Sequence, residues 1–260
     1  MYFNANLMFM KRVLLISIIL NLCFCANAQS LKITYKMDYS EEQKDLSKIE
    51  NMMVRKYRKN EIAALPHVEL LLLIQGKSSK FYTEPKMPFE NRDMQSGYNA
   101  ALVLATGKRV FYKEDSLKFI FKDISGESYR ILANKEKYNS WEITKEHKMI
   151  LGYKCFKAKI EYKTYDKYME PLWVPVEAWF TPEISVSTGP LDFDGLPGLI
   201  LEATKDNRVK YFATKIESRE DIKIEIPTAK KTITYQERDT ITKKILMEIK
   251  RRSEMYGTEF

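Results

Sequence analysis

The feature that most limits how this chain can fold is the train of short alternating segments that starts at Arg109. Residues 109–113, 117–122, 128–132, 138–146, 149–163, 173–181, 198–204 and 209–217 are rich in β-branched and aromatic side chains, with turn residues between them. A strand repeats every two residues, so each segment can turn an apolar face to a core, and connections this short join antiparallel neighbours. Two segments upstream extend the same sheet. Leu31–Tyr39 alternates in the same way, and His67–Gln75 is a compact apolar run before Gly76, with Phe81–Thr83 as its return.

Helical spacing appears in two places. Ser40 and Gln43 have the spacing of a capping box, and Leu46, Ile49, Met53 and Tyr57 follow every three or four residues, which predicts a helix over about 40–59. Thr234 and Glu237 open a second helix at about 236–253. It carries Ile241, Ile245 and Ile249 on one face and ends in Lys250–Arg252, where the helix dipole favours cations. Residues 84–107 hold Pro85, Pro88, Asn91, Gly97 and Gly107 and read as a long surface connection. The expected fold class is therefore α+β, mostly β: a curved antiparallel sheet with an N-terminal and a C-terminal helix.

The first residues are a different kind of segment. Met10-Lys11-Arg12 precedes an apolar run from Val13 to Phe24, and Ala26-Asn27-Ala28 stands before Gln29. A basic region, an apolar region and an A-x-A site describe a signal peptide over 1–28, leaving one domain at 29–260. The run is shorter than the ~20 residues that span a bilayer, and no later segment approaches that length, so no transmembrane span is expected after cleavage. Lipid attachment needs a small residue before the cysteine, but Cys25 follows Phe24 and Cys23 follows Leu22. The expected address is the periplasm, the outer membrane or the exterior.

Export bears on charge and cysteine content. Taking Lys11 and Arg12 from the 43 basic residues leaves 41 against 35 acidic ones, with the signs interspersed. The basic groups at Arg55–Lys59 and Lys250–Arg252 fall on predicted helices, where a solvated face explains them, and no nucleic-acid partner is expected. Cys23 and Cys25 leave with the leader. The remaining Cys155 lies in a strand-like stretch, Gly152–Ile160, and is expected to be a buried, passive thiol.

The densest motif is Ser187-Thr188-Gly189-Pro190-Leu191-Asp192-Phe193-Asp194-Gly195-Leu196-Pro197-Gly198-Leu199-Ile200-Leu201-Glu202. With Trp141-Glu142-Ile143, Ile150-Leu151-Gly152-Tyr153-Lys154-Cys155 and Ala178-Trp179-Phe180-Thr181-Pro182-Glu183-Ile184 upstream, the chain resembles the GLPGLI family across about 141–202. The resemblance implies an exported, Bacteroidetes-type protein with no established activity and no assigned catalytic residues. In physical terms, Leu196-Pro197-Gly198-Leu199 fits a type II turn that feeds Leu199-Ile200-Leu201 into a core strand. Gly189, Pro190, Gly195, Leu196, Pro197, Gly198, Leu199 and Ile200 are thus read mainly as architecture, with contact to a ligand or partner as the alternative.

Chemistry-bearing residues are sparse. Asp192, Asp194 and Glu202 could offer oxygen ligands, yet they lack the spacing of a calcium loop, so solvated loop charges are the expectation. His67, His147 and Cys155 are the only mature His and Cys residues and are scattered, which predicts no metal, no cofactor and no catalytic set. The leading expectation is a non-enzymatic binding or assembly module for an apolar ligand or an envelope protein partner, with Trp141, Trp173 and Trp179 as binding-face aromatics. A hydrolase without a readable motif and a structural subunit of an outer-membrane-associated complex are the alternatives.

Overall fold

The computed structural model describes residues 30–256 apart from 85, 125, 134–136, 139 and 166–169. The expected leader and cleavage site after Ala28 lie outside the described residues. The chain is mostly β and forms one large, curved, open sheet of twelve strands. In chain order these are β1 (Ser30–Tyr39), β2 (Leu70–Gln75), β3 (Ser78–Thr83), β4 (Val110–Glu114), β5 (Leu117–Ile124) and β6 (Glu127–Leu132). They continue with β7 (Glu142–Ile150), β8 (Tyr153–Tyr165), β9 (Pro171–Thr181), β10 (Leu199–Lys205), β11 (Val209–Ser218) and β12 (Lys231–Ile233). The spatial order is β12-β6-β5-β4-β3-β2-β1-β11-β10-β9-β8-β7. Two antiparallel meanders thus meet where β1 pairs with β11, and among the described strands only the short β12 runs parallel to its neighbour, β6.

Strand alternation explains the core. Leu31, Ile33, Tyr35, Met37 and Tyr39 of β1 are buried while the residues between them are half-exposed. Register carries the same face across the sheet: Ile33 sits opposite Leu72, Leu72 opposite Phe81, Phe81 opposite Phe111 and Phe111 opposite Ile120. On the other side, Met37 opposes Tyr211, Tyr211 opposes Ala203, and Ala203 opposes Ala178. Burying each large apolar side chain of this surface stabilises the fold by roughly 1.5–3 kcal/mol. The connection from Ser187 to Leu196 supplies Leu191, Phe193 and Leu196 to the same core. Tyr35 ties it to the motif by donating its hydroxyl to the Ile200 carbonyl at 2.6 Å.

The helices depart from expectation in two ways. The stretch expected as one helix over 40–59 is instead α1 (Glu41–Lys44) and α2 (Met52–Ala64). Asp45 draws the Ser47 amide and hydroxyl to its carboxylate at 2.9 and 2.6 Å, a local turn that competes with the helix. Asn51 then restarts it, accepting from the Met53 and Val54 amides. The Ser40 side chain makes no capping bond.

The connection expected at 84–107 contains α3 (Arg92–Thr106), so helices are not confined to the two ends of the chain. Asn91 caps it through the Met94 amide, and Gly107 ends it in the left-handed conformation with its N–H on the Val103 carbonyl. Gly97 is no turn residue. A β-carbon there would run into the Asn60 carbonyl, so its absence lets α3 lie directly on α2. The C-terminal helix forms largely as its caps suggest: α4 (Tyr235–Tyr256) opens with a reciprocal Thr234–Glu237 box.

Candidate functional site

The motif loop is built around close backbone approaches. Leu196-Pro197-Gly198-Leu199 is not a type II turn. The Gly198 amide reaches back only to the Leu196 carbonyl at 2.8 Å, while the Leu199 amide donates to the distant Ile184 carbonyl at 3.0 Å. A long-range acceptor thus takes the N–H that the turn would have used. Gly198 sits at φ 155°, and a β-carbon there would overlap the Thr181 carbonyl. Gly195, at φ 86°, lies against the Tyr138 carbonyl and donates its N–H to Ser187 Oγ at 2.9 Å. The Ile200 amide donates to the Thr188 carbonyl at 2.9 Å, on either side of Gly189 and Pro190. Free space between this loop and strands β2–β5 shrinks to about 20 Å³, room for no more than about one water.

The three acids of the motif do not converge. Asp192 pairs with Lys137 at 2.9 Å and accepts from the Tyr138 hydroxyl at 3.0 Å. Asp194 pairs with Lys118 at 2.7 Å and Lys113 at 3.5 Å. Glu202, on the other face of the sheet, pairs with Lys148 at 2.9 Å and Lys210 at 3.2 Å. Among the described residues no group of three or more His, Cys, Asp or Glu side chains could hold a metal. Burial alone would raise the pKa of Asp192, but the Lys137 charge and hydrogen bond, Arg109 and Tyr138 outweigh it and hold the carboxyl at about 2.

Around Asp192 lies the most unusual chemistry in the molecule. Leu201, Ala203 and Lys205 share one face of β10, so Lys205 occupies a core-phase position. Arg109 does the same immediately before β4, in phase with Phe111. The Arg109 Nε donates to the Thr106 carbonyl at 2.7 Å, and its guanidinium lies 5.3 Å from the Phe111 ring. Lys137 Nζ stands 4.3 Å from the Tyr162 ring and 4.7 Å from that of Tyr138. Burial pushes the Lys205 pKa below the ordinary lysine range, Lys137 and Arg109 push it the same way, and Asp192 and Asp206 oppose them. Lys137 is lowered as well, first by burial and then by Arg109 and Lys118, against the pull of Asp192. Tyr162 and Tyr235 are raised, mainly by burial and next by Asp192.

Sequence reasoning did not single out this cluster. The available signal was a cation in core phase, as in Leu201-x-Ala203-x-Lys205 and Arg109-x-Phe111. The three tryptophans chosen instead do not share a face. Trp141 packs beside Tyr138 and donates to the Asp194 carbonyl at 2.8 Å. Trp173 is 61% exposed on the side of β9 opposite Val174 and Val176. Trp179 lies on that same outer side beneath Lys148, 4.2 Å from its ring.

Cys155 is fully buried, and burial pushes its thiol up to about 11. His147 does not face it, since register sets Lys148 opposite Cys155 and His147 opposite Phe156. A groove of about 680 Å³ on the outer side, lined by Asp38, Lys148, Glu202, Lys210 and Phe212 among others, contains the paired charges of Glu202.

The family model described as "N-glycanase peptide, N-terminal domain" matches residues 129–244, and this family rather than GLPGLI is what that comparison returns. Two solved structures of PNGF-II are similar in outline. One, in space group C2, is 17% identical with a TM-score of 0.48 over 84% of this chain and 32% of its own. The other, in P21, is 16% identical with a TM-score of 0.49 over 82% of this chain and 33% of its own. No curated protein matches the sequence. The chain spans about a third of the length of the solved chains it is similar to.

Proposed function

We propose that this chain is an exported, non-catalytic recognition module that holds a polar ligand at the open end of its concave face. The observation that carries this is the pair Arg109 and Lys205: two cations at core-phase positions, neither with a carboxylate partner within salt-bridge distance among the described residues. A fold bears the cost of a partly buried, unpaired cation most readily where a ligand relieves it. An apolar ligand suits the concave surface less well, because Leu191, Phe193 and Leu196 already fill it. Export rests on the leader sequence. The match to an N-terminal domain of an N-glycanase supports a module that serves a larger polypeptide or assembly.

Hydrolysis is disfavoured by the state of the acids. A general acid works best near the operating pH, whereas Asp192 is held near 2 and Asp194 is locked between two lysines. An envelope protein partner remains a second reading, favoured by one observation. The first turns of α2 leave Met52, Met53, Val54 and Tyr57 exposed beside Arg55 and Lys56.

Native mass spectrometry of protein taken from the envelope is the direct test. The expected result is a small-molecule adduct on the wild type that is missing from Lys205→Met. Turnover of glycopeptide amides that disappears in Asp192→Asn would replace this reading with an enzymatic one.

A further inference from the structure

The start of α2 stands clear of the rest of the protein and displays apolar and cationic side chains together. We propose that residues Met52–Lys59 form a peripheral docking patch for an anionic phospholipid bilayer. This surface is independent of Arg109 and Lys205.

Residues 51–57 are exposed one after another, and they include Met52 at 79%, Met53 at 83%, Val54 and Tyr57. Scattered singly, such side chains would need no explanation, but four fall here within six residues. They also continue the buried stripe of the helix. Glu61 and Ala64 face the interior, where Glu61 accepts from the Tyr39 hydroxyl at 3.1 Å. Tyr57 lies one turn before Glu61, and Met53 one turn before Tyr57, so the stripe runs outward past the edge of the core.

The charges around the patch are positive. Residues 51–60 contain Arg55, Lys56, Arg58 and Lys59 and no acid. Lys56 pairs with Asp93 of α3 at 3.0 Å and Arg58 with Glu61 at 2.9 Å, while Lys48 and Glu50, both exposed before the helix, offset each other. That leaves two cations over. The Arg55 guanidinium donates to a neutral acceptor, the Ile49 carbonyl, at 2.8 Å, and neither it nor Lys59 has a carboxylate within salt-bridge distance among the described residues. Arg92, exposed beside Asp93, adds a third. At about 3.6 residues per turn, Met53, Tyr57 and Val54 share one sector of the helix, with Lys56 on one flank and Arg58 on the other.

These cations decide the occupant. A second copy docked through the same patch across a twofold axis would set like charges face to face. A protein partner needs a surface shaped to the projection, whereas a fluid bilayer receives an apolar tip without shape complementarity. The residue types suit that surface: methionine is unbranched and adaptable, tyrosine sits at headgroup level, and lysine and arginine extend their charges toward phosphates. Met53 precedes Tyr57 by about 6 Å along the helix axis, in keeping with the shallow burial of about 5–10 Å typical of interfacial helices.

Flotation of the mature chain, from Gln29 onward, tests the assignment with vesicles of phosphatidylglycerol mixed with phosphatidylcholine against phosphatidylcholine alone. The wild type should bind the anionic vesicles at least ~10-fold more tightly than the neutral ones. It should leave them in about 1 M salt, where the Debye length is about 3 Å. Met52→Ser combined with Met53→Ser should weaken binding at least ~10-fold, and Arg55→Gln combined with Lys59→Gln about 5-fold per cation. All four side chains are exposed, so both double variants should melt with the parent. Lys163→Gln, which removes an exposed cation of β8, should bind like the wild type. Val54→Trp gives a reading that leaves the methionines in place: its emission should shift to the blue with anionic vesicles only. No binding to anionic vesicles, equal binding by the wild type and both double variants, or an equal loss in Lys163→Gln overturns the proposal. Self-association, or capture of one envelope protein by a cross-linker at Met53, with no vesicle binding would replace the bilayer by a protein partner.

Discussion

Replacing Gly198 by alanine is the sharpest test of why the motif has its shape. Two penalties combine. At φ 155° a β-carbon is strained, which costs about 1 kcal/mol, and here the new methyl overlaps the Thr181 carbonyl rather than a side chain that could swing away. Relief requires β9 and the start of β10 to part where the Leu199 amide bonds Ile184, and overpacking of that kind costs about 2 kcal/mol. The expected total is about 3 kcal/mol, or a fall in Tm of roughly 6–12 °C for a chain of this size. Pro197→Ala keeps the same backbone path and should lose less than about 1 kcal/mol by relaxing the unfolded chain. Calorimetry on the two variants decides the matter. A Gly198→Ala protein melting within 2 °C of the parent, or a larger loss in Pro197→Ala, would refute the close-approach argument.

Asp192→Asn should cost about 3 kcal/mol in urea unfolding because it strands Lys137, and adding Lys137→Met should restore more than half of that. An Asp192 pKa lowered from 3.8 to about 2 stabilises the fold by about 2 kcal/mol above pH 4, an upper figure because Lys137 is itself disfavoured by burial. That contribution should disappear as the pH falls from about 4 to 2, so the wild type should lose more stability than Asp192→Asn across this window; parallel acid titrations would contradict the pairing. Cys155 should react with a thiol reagent at pH 8 at least ~100-fold more slowly in the native state than in urea, since burial leaves about one thiolate per thousand. Fast native labelling would show that the strand opens or that the thiol is active.

Periodicity made most of the sheet legible, because alternation is a property of each strand by itself. Leu31–Tyr39 shows it in sequence and β1 shows it in burial. What failed were signals that depend on a partner far away. Gly97 looks like a turn until Asn60 is known to lie against it. Pro197-Gly198 looks like a type II turn until the Ile184 carbonyl claims the next amide. The helix at Arg92–Thr106 had legible ends, an Asn91 cap and a Gly107 stop. Counting those residues as turn formers hid the Ala- and Leu-rich stretch between them. Arg109 and Lys205 are both in core phase, but they are far apart in sequence, and only the β4-to-β10 arrangement of the curved sheet brings both within electrostatic reach of Asp192.

The motif and the Asp192–Lys137 ion pair are therefore mechanically one object. Gly198 pins the loop exit on Thr181, Gly195 pins its middle on Tyr138, and Trp141 and the two lysines on Asp194 hold the turn between them. Asp192 stands three residues before Gly195, so its position against Lys137 is set by these anchors rather than by its own side chain. A shift of one ångström would lengthen that ion pair and weaken the attraction that offsets the burial of Lys137. Glycines that bear no charge can in this way govern an ion pair. Gly189 offers the separate check, because a methyl there would meet Ile200 Cβ at 2.7 Å, on the other side of the loop from Asp192. If Gly189→Ala and Gly198→Ala lose stability alike but only Gly198→Ala raises the Asp192 pKa, read by carboxylate NMR titration, the loop exit sets the charge geometry. Equal shifts in both would mean that the pairing of Asp192 follows global stability and that the anchors have no specific effect on it.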